Sequence, residues 1–167
     1  MPFEGGTRGS RIVCLDGTEG LDGRALMLLS VCHLAARRLG SWSLRIIDVD
    51  DPDVELAAEA LAFDTGLDVH VLRSTAAEDP LRGASLYVAL THRGIAHLRL
   101  EEAARAGIPV LAAAQSAECP GRSDMLPMAF GHDTRAFADL LGVSLDRIEN
   151  GQEMGVRFVS AMMPEFA

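Results

Sequence analysis

The stretch SLYVALTHRGIAHLRLEEAARAGIPVLAA, residues Ser85–Ala113, decides the fold. Its two ends, Ser85–Leu90 and Pro109–Ala113, are brief apolar runs without polar alternation, the pattern of strands covered on both faces. Between them Leu98, Leu100, Ala103, Ala104 and Gly107 suit a helix. Gly107 supplies a left-handed C-terminal cap, and Pro109 bars continuation. Strand, helix and strand of this length make a βαβ unit, whose right-handed crossover joins parallel strands. Ligands of such sheets sit at the carboxyl ends of the strands, so a site is expected first at the loop Thr91–His97.

The flanking sequence repeats the alternation. Met1–Ser10 is polar and Gly-rich and is expected to be a mobile leader, with residues 11–167 forming one domain. Arg11–Leu15 is a strand, followed by the loop Asp16–Gly23 and a helix from Arg24 to Leu39 that is apolar on nearly every side. Such a helix packs between a sheet and a further element. Leu44–Val49 is the second strand. Asp51 caps the next helix with Pro52 in its first turn; Val54, Ala57, Ala58 and Leu61 line its inner face as far as Gly66. Asp68–Leu72 is the third strand and Ala76–Gly83 a short irregular helix. Beyond the central unit a short apolar piece, Met125–Phe130, precedes two helices expected near Asp133–Leu141 and Ser144–Met162. The apolar residues Val156, Phe158, Val159 and Met162 of the second would cover the domain or a partner. This is an α/β, three-layer Rossmann-like sandwich with a mostly parallel sheet, in the order 3-2-1-4-5 with room for a sixth strand. The switch point falls between strands one and four, which sets Asp16–Gly23 and Thr91–His97 on opposite lips of one crevice.

Composition narrows the function. At 167 residues the chain is long enough for a full core, and its net charge of −9 argues against nucleic acid and against an anionic membrane surface. No apolar run reaches the roughly 18 residues that span a bilayer, so no integral membrane segment is expected. Three widely spaced cysteines, with Cys14 and Cys32 read as small core groups, fit a reducing compartment, and a cytoplasmic location is expected. All fifteen basic residues are arginine, so any mechanism that needs a lysine is excluded within this chain.

Two loops carry candidate chemistry. Asp16–Gly23 (DGTEGLDG) opens a helix, and amides such as that of Gly17 could receive an anion there. It matches neither GxGxxG nor the P-loop, its three acids would repel phosphate, and Arg24 is the one cation placed to reach a diphosphate. In Thr91–His97, Gly94 permits close backbone approach while His92, His97 and Arg93 supply donors. Glu101 and Glu102 complement the dipole of the helix that follows. Asp48-Val49-Asp50-Asp51 has the outline of a DxD metal element, but capping explains Asp51 and Asp53 and nothing completes a coordination shell, so no metal is expected. His33 and His70 read as core or boundary groups, and no catalytic triad can be built from spacing.

The segment GASLYVALTHRGIAHLRLEEAARAGIPVLAA resembles the donor-binding segment of family-4, GT-B-fold glycosyltransferases, whose pattern runs A-D-hydrophobic run-P-S-x-x-E-G … L-E-A-M-A-x-G-x-P-V-V-A. Glu102, Ala103, Gly107, Pro109 and Val110 fall on matching positions. GLDGRALMLLSVCHLAARR, DVHVLRSTAAEDPLRGAS and MLPMAFGHDTRAFADLLG extend the likeness over most of the chain. The resemblance implies that Glu102 accepts the ribose hydroxyls of a nucleotide-sugar, and that the amides of Ile95, Ala96, His97 and Leu98 face its sugar and diphosphate. Gly94 stands where the family has its first glutamate. The first-loop arginine and lysine that neutralise the leaving diphosphate are replaced by residues near Asp16 and Asp22, leaving Arg24 and Arg93 to compensate. The chain is also about half as long as a complete GT-B enzyme.

The resemblance therefore implies the donor half of a family-4-like glycosyltransferase, with nucleotide-sugar as ligand, no further cofactor, and a separate acceptor-binding domain or chain as partner. Whether such a chain is itself an enzyme stays open, since in isolation it is expected to transfer sugar poorly. The alternative is a non-catalytic interaction module derived from the same fold, favoured by the missing lysine and first glutamate. A receiver-like switch with Thr91 after a strand would need a lysine, and there is none.

Overall fold

The computed structural model describes residues 11–18, 25–91, 99–114, 125–128, 134–152 and 156–161. Seven strands form one sheet in the order β3-β2-β1-β4-β5-β7-β6, every neighbouring pair parallel. The strands are β1 (Ile12–Asp16), β2 (Ser43–Val49), β3 (Asp68–Arg73), β4 (Leu86–Thr91), β5 (Val110–Ala114), β6 (Met125–Met128) and β7 (Val156–Ala161). The helices are α1 (Ala25–Leu34), α2 (Pro52–Thr65), α3 (Leu100–Arg105) and α4 (Thr134–Glu149), with a 3-10 turn at Arg38–Ser41. Strands one to five take the expected Rossmann-like order, and β1 and β4 meet at its reversal.

Alternation along the strands builds a core on each side of the sheet. Val13, Leu15, Leu44, Ile46, Leu86, Val88 and Leu111 pack with α1, α2 and α4. Cys14, Ile47, Tyr87, Ala89 and Val110 face the other way, toward Leu81, Ile108 and Ala103 of α3. The first side is the larger. Helix α1 touches β1, β4, α2 and α4, which is why Leu28, Leu29, Val31 and Cys32 are all buried on a helix with almost no polar face. Each such leucine contributes roughly 1.5–3 kcal/mol by leaving water. Helix α4 is fixed by buried Phe137, Leu141 and Leu145. Its end is clamped by Glu149, which accepts from Trp42 Nε1 at 3.0 Å and Arg11 Nη1 at 3.1 Å.

Local signals acted as their chemistry requires. Asp51 accepts from the Asp53 amide at 2.9 Å, Pro52 sits in the first turn of α2, and Gly66 ends the helix at φ 77°. Gly107 follows α3 at φ 73°, with its amide on Ala104 O at 3.0 Å. A side chain at either position would meet the clash that disfavours left-handed backbone for L-residues.

Three expectations are corrected. The helix placed near Ser144–Met162 is instead the end of α4, which runs unbroken from Thr134 to Glu149, followed by strand β7. Val156 and Phe158 pair with Val110 and Ala112, so β7 takes the sixth position and β6 the outer edge. No helix forms over Ala76–Gly83. Those residues make turns whose carbonyls are held by the sheet: Arg45 Nη1 on β2 donates to Pro80 O at 2.8 Å and Arg82 O at 2.7 Å. His33 and His70 are exposed rather than core, and His70 Nε2 lies 2.9 Å from Asp68 on the edge strand.

Candidate functional site at the carboxyl edge of the sheet

Strand β1 ends in Asp16, and β2 carries Asp48 next to its last residue, Val49. Asp16 is 3% exposed and accepts from Thr18 Oγ1 at 2.7 Å. Asp48 adopts φ 59°, a left-handed backbone that aspartate tolerates better than most residues. The β2–β3 register slips between Ile46 and Val49 at the same place. Strict alternation after Leu44 and Ile46 would aim Asp48 into the core beneath α1 and α2. The slip lets Val49 join that core instead, and frees the Asp48 carboxylate for Arg99, just ahead of α3.

Arg99 grips Asp48 with both arms of its guanidinium. Nε lies 2.5 Å from Oδ2, and Nη2 lies 2.7 Å from Oδ1. Its Nη1 donates to Glu102 Oε1 at 2.6 Å, and its backbone amide donates to the Tyr87 hydroxyl at 3.2 Å. A planar fork matched to a carboxylate is the strong, orienting form of ion pair. The hydrogen bonds to Asp48 raise the Arg99 pKa further above its ordinary value, so the cation persists throughout the working range. Burial, reinforced by the charge on Asp16, likewise holds the Tyr87 phenol above its usual range, and it stays protonated.

Two open hollows flank this cluster. One, of about 420 Å³, lies over the ends of β1, β2 and β3 and is lined by Thr18, Asp48, Asp50, Ser74, Arg99, Glu101 and Glu102. Ser74 Oγ donates to Asp50 on its wall. Among the described residues four carboxylates face one guanidinium, a lining that suits hydroxyl or amine donors better than phosphate. The other, of about 700 Å³, runs beside α3, between Arg105, Ala106 and Ile108 and the turn Asp79–Ala84. Glu102 and Arg99 belong to both walls. Glu102 is half-exposed, and among the described residues only its Oε1 is engaged.

Of the residues singled out from sequence, Glu102 therefore lines a hollow, in the first turn of α3 beside Glu101. Gly17 is buried at the end of β1, and its amide is already donated to Ile47 O at 2.8 Å. That amide is not open to an anion. A Cβ there would lie 2.8 Å from Val49 Cγ2 and 3.0 Å from Ile47 O, so the glycine is required by the approach of the chain to β2. Arg24, Arg93, Gly94, Ile95, Ala96 and His97 lie outside the described residues, as do Asp22 and Leu98. Sequence reasoning passed over Arg99 and Tyr87 and set Asp48 aside with the DxD outline. Charged residues closing apolar strands were the available signal. Among the described residues no group of three or more His, Cys, Asp or Glu could hold a metal ion, and no helix is long and apolar enough to cross a membrane.

No protein-family model and no curated protein sequence matches the chain. Its fold is similar to that in the Thermococcus litoralis Δ1-pyrroline-2-carboxylate reductase in complex with NADH and L-proline, at 9% identity and a TM-score of 0.47, over 93% of this chain and 54% of that one. It is also similar to a chain of the GtfA/B complex, at 16% identity and a TM-score of 0.55. That alignment takes in 86% of this chain and 32% of the other, so the chain spans about a third of that neighbour's length.

Proposed function

We propose that this domain binds the nucleotide-sugar donor of a family-4-like glycosyltransferase, with the acceptor held by a separate domain or chain. One observation carries the reading: Glu102, the residue whose sequence context matches the donor-binding segment, lies on the wall of the hollow at the carboxyl edge of the sheet. A carboxylate with one oxygen on Arg99 and the other without a partner among the described residues suits a vicinal diol, because an ionised acceptor takes hydroxyl protons strongly. The acid-rich wall fits the ribose end of the ligand. In this reading the diphosphate is left to Arg24, Arg93 and the amides of Ile95, Ala96 and His97. Likeness of fold to a chain of the GtfA/B complex supports the reading at the level of architecture, and fold alone assigns no activity.

Calorimetry with UDP-, GDP- and ADP-glucose tests it. One of the three is expected to bind, and Glu102→Ala to weaken that binding at least tenfold. No heat with any of them refutes the reading. A second reading, a non-catalytic interaction module, is favoured by the engagement of Glu102 with Arg99 and by the lack of lysine to stabilise a leaving diphosphate. In that case Glu102→Ala changes stability slightly and nothing else.

A further inference from the structure

We propose that the outward face of α2 is a docking ridge for another protein, one that offers an apolar groove rimmed by arginine or lysine. The helix is apolar on two opposite sides. Val54, Ala58 and Leu61 are buried against the sheet. At 100° per residue, Leu56 and Phe63 stand one above the other on the far side. Both are open, at 63% and 89% exposure. Pro52 and Ala60, also exposed, continue the same stripe. A helix that only covers a sheet carries polar groups on its outer face, so this stripe serves nothing within the domain's own core.

Charge selects the occupant. Glu59 borders the stripe on one side, Asp53 and Asp64 on the other, and α2 holds no basic residue. None of these three acids has a cationic partner among the described residues. A second copy meeting this face α2 to α2 would set acid against acid, and an anionic membrane surface would be repelled in the same way. A cationic rim around an apolar slot satisfies both the stripe and its borders. Anchors at i and i+7 seated in a groove are a common mode of helix recognition.

The probe is a designed two-helix hairpin whose interhelical groove is lined with leucine and rimmed with arginine, beside a twin rimmed with glutamate. It is titrated into the full ¹⁵N-labelled chain. The arginine hairpin is expected to bind, with amide shifts centred on residues 56–65, while the glutamate twin does not. Phe63→Ser and Leu56→Ser leave the charge and the buried face untouched. Each is expected to weaken binding at least tenfold with an unchanged far-UV spectrum. The proposal is overturned by no binding, by shifts centred elsewhere, or by binding indifferent to both serine variants. It is overturned equally by a homodimer in light scattering that Phe63→Ser dissociates, which would give the face to a second copy.

Discussion

Replacing Arg99 by methionine keeps a long side chain and removes three charge-assisted hydrogen bonds, two to Asp48 and one to Glu102. The Asp48 side chain is 15% exposed, so its carboxylate would lose a bidentate partner where water replaces it poorly. Breaking a fully buried pair costs about 3–5 kcal/mol, and leaving one buried acceptor unsatisfied costs about 1–3. Arg99 itself is 28% exposed, which places this case near 2 kcal/mol. Glu102 is 50% exposed and adds only about 0.3 kcal/mol. For a chain of this size about 2 kcal/mol lowers Tm by roughly 4–8 °C. Urea denaturation of Arg99→Met, Asp48→Asn, Glu102→Gln and the two double variants separates the contributions. The Arg99–Asp48 coupling should be about 1.5–2 kcal/mol and the Arg99–Glu102 coupling several-fold smaller. An Arg99–Asp48 coupling below about 0.5 kcal/mol, or an Arg99–Glu102 coupling exceeding it, refutes the picture of Asp48 as the anchor.

Gly17→Ala forces a methyl into contact with Val49 and the Ile47 carbonyl and should destabilise by about 1–3 kcal/mol in urea melts. Arg45→Met releases Pro80 O and Arg82 O, so amide exchange across residues 79–84 should accelerate at least tenfold while the exchange of β1 and β4 amides is unchanged. Burial pushes the Cys14 thiol up to about 11 and the Cys32 thiol to about 12, from 9.0 unperturbed. Both are protonated in the fold while the unfolded chain ionises. Their contribution to stability is therefore complete below pH 9.0 and is lost as pH rises toward 11–12. In a Cys119→Ser background, a thiol reagent at pH 8 should label neither cysteine until denaturant is added.

The parts of the fold legible in sequence were those written locally. Pro52 fixes its own φ in the first turn after Asp51, and Gly66 and Gly107 supply left-handed helix ends that other residues avoid. The second C-terminal helix failed for the opposite reason. Val156, Phe158 and Val159 fit a buried strand as well as a helix face, and the pairing with β5 that decides between them lies far off in sequence. Ala76–Gly83 has helical composition, but Arg45 on β2 holds its carbonyls in turns. At the site, Glu102 was readable because its motif is contiguous. The grip of Arg99 on Asp48 spans 51 positions and depends on a slip in strand register that no spacing announces.

The most direct measurement compares the affinity of the intact chain for the favoured nucleoside diphosphate with its affinity for the 2′,3′-dideoxy counterpart, and repeats the pair in Glu102→Gln. Hydrogen bonds from a diol to a carboxylate are worth about 1.5–3 kcal/mol, so the native chain should favour the ribose form by roughly 10- to 150-fold. The variant should barely discriminate. Equal discrimination by both proteins, or binding of neither ligand, would contradict the assignment of Glu102 as the residue that reads the sugar-nucleotide.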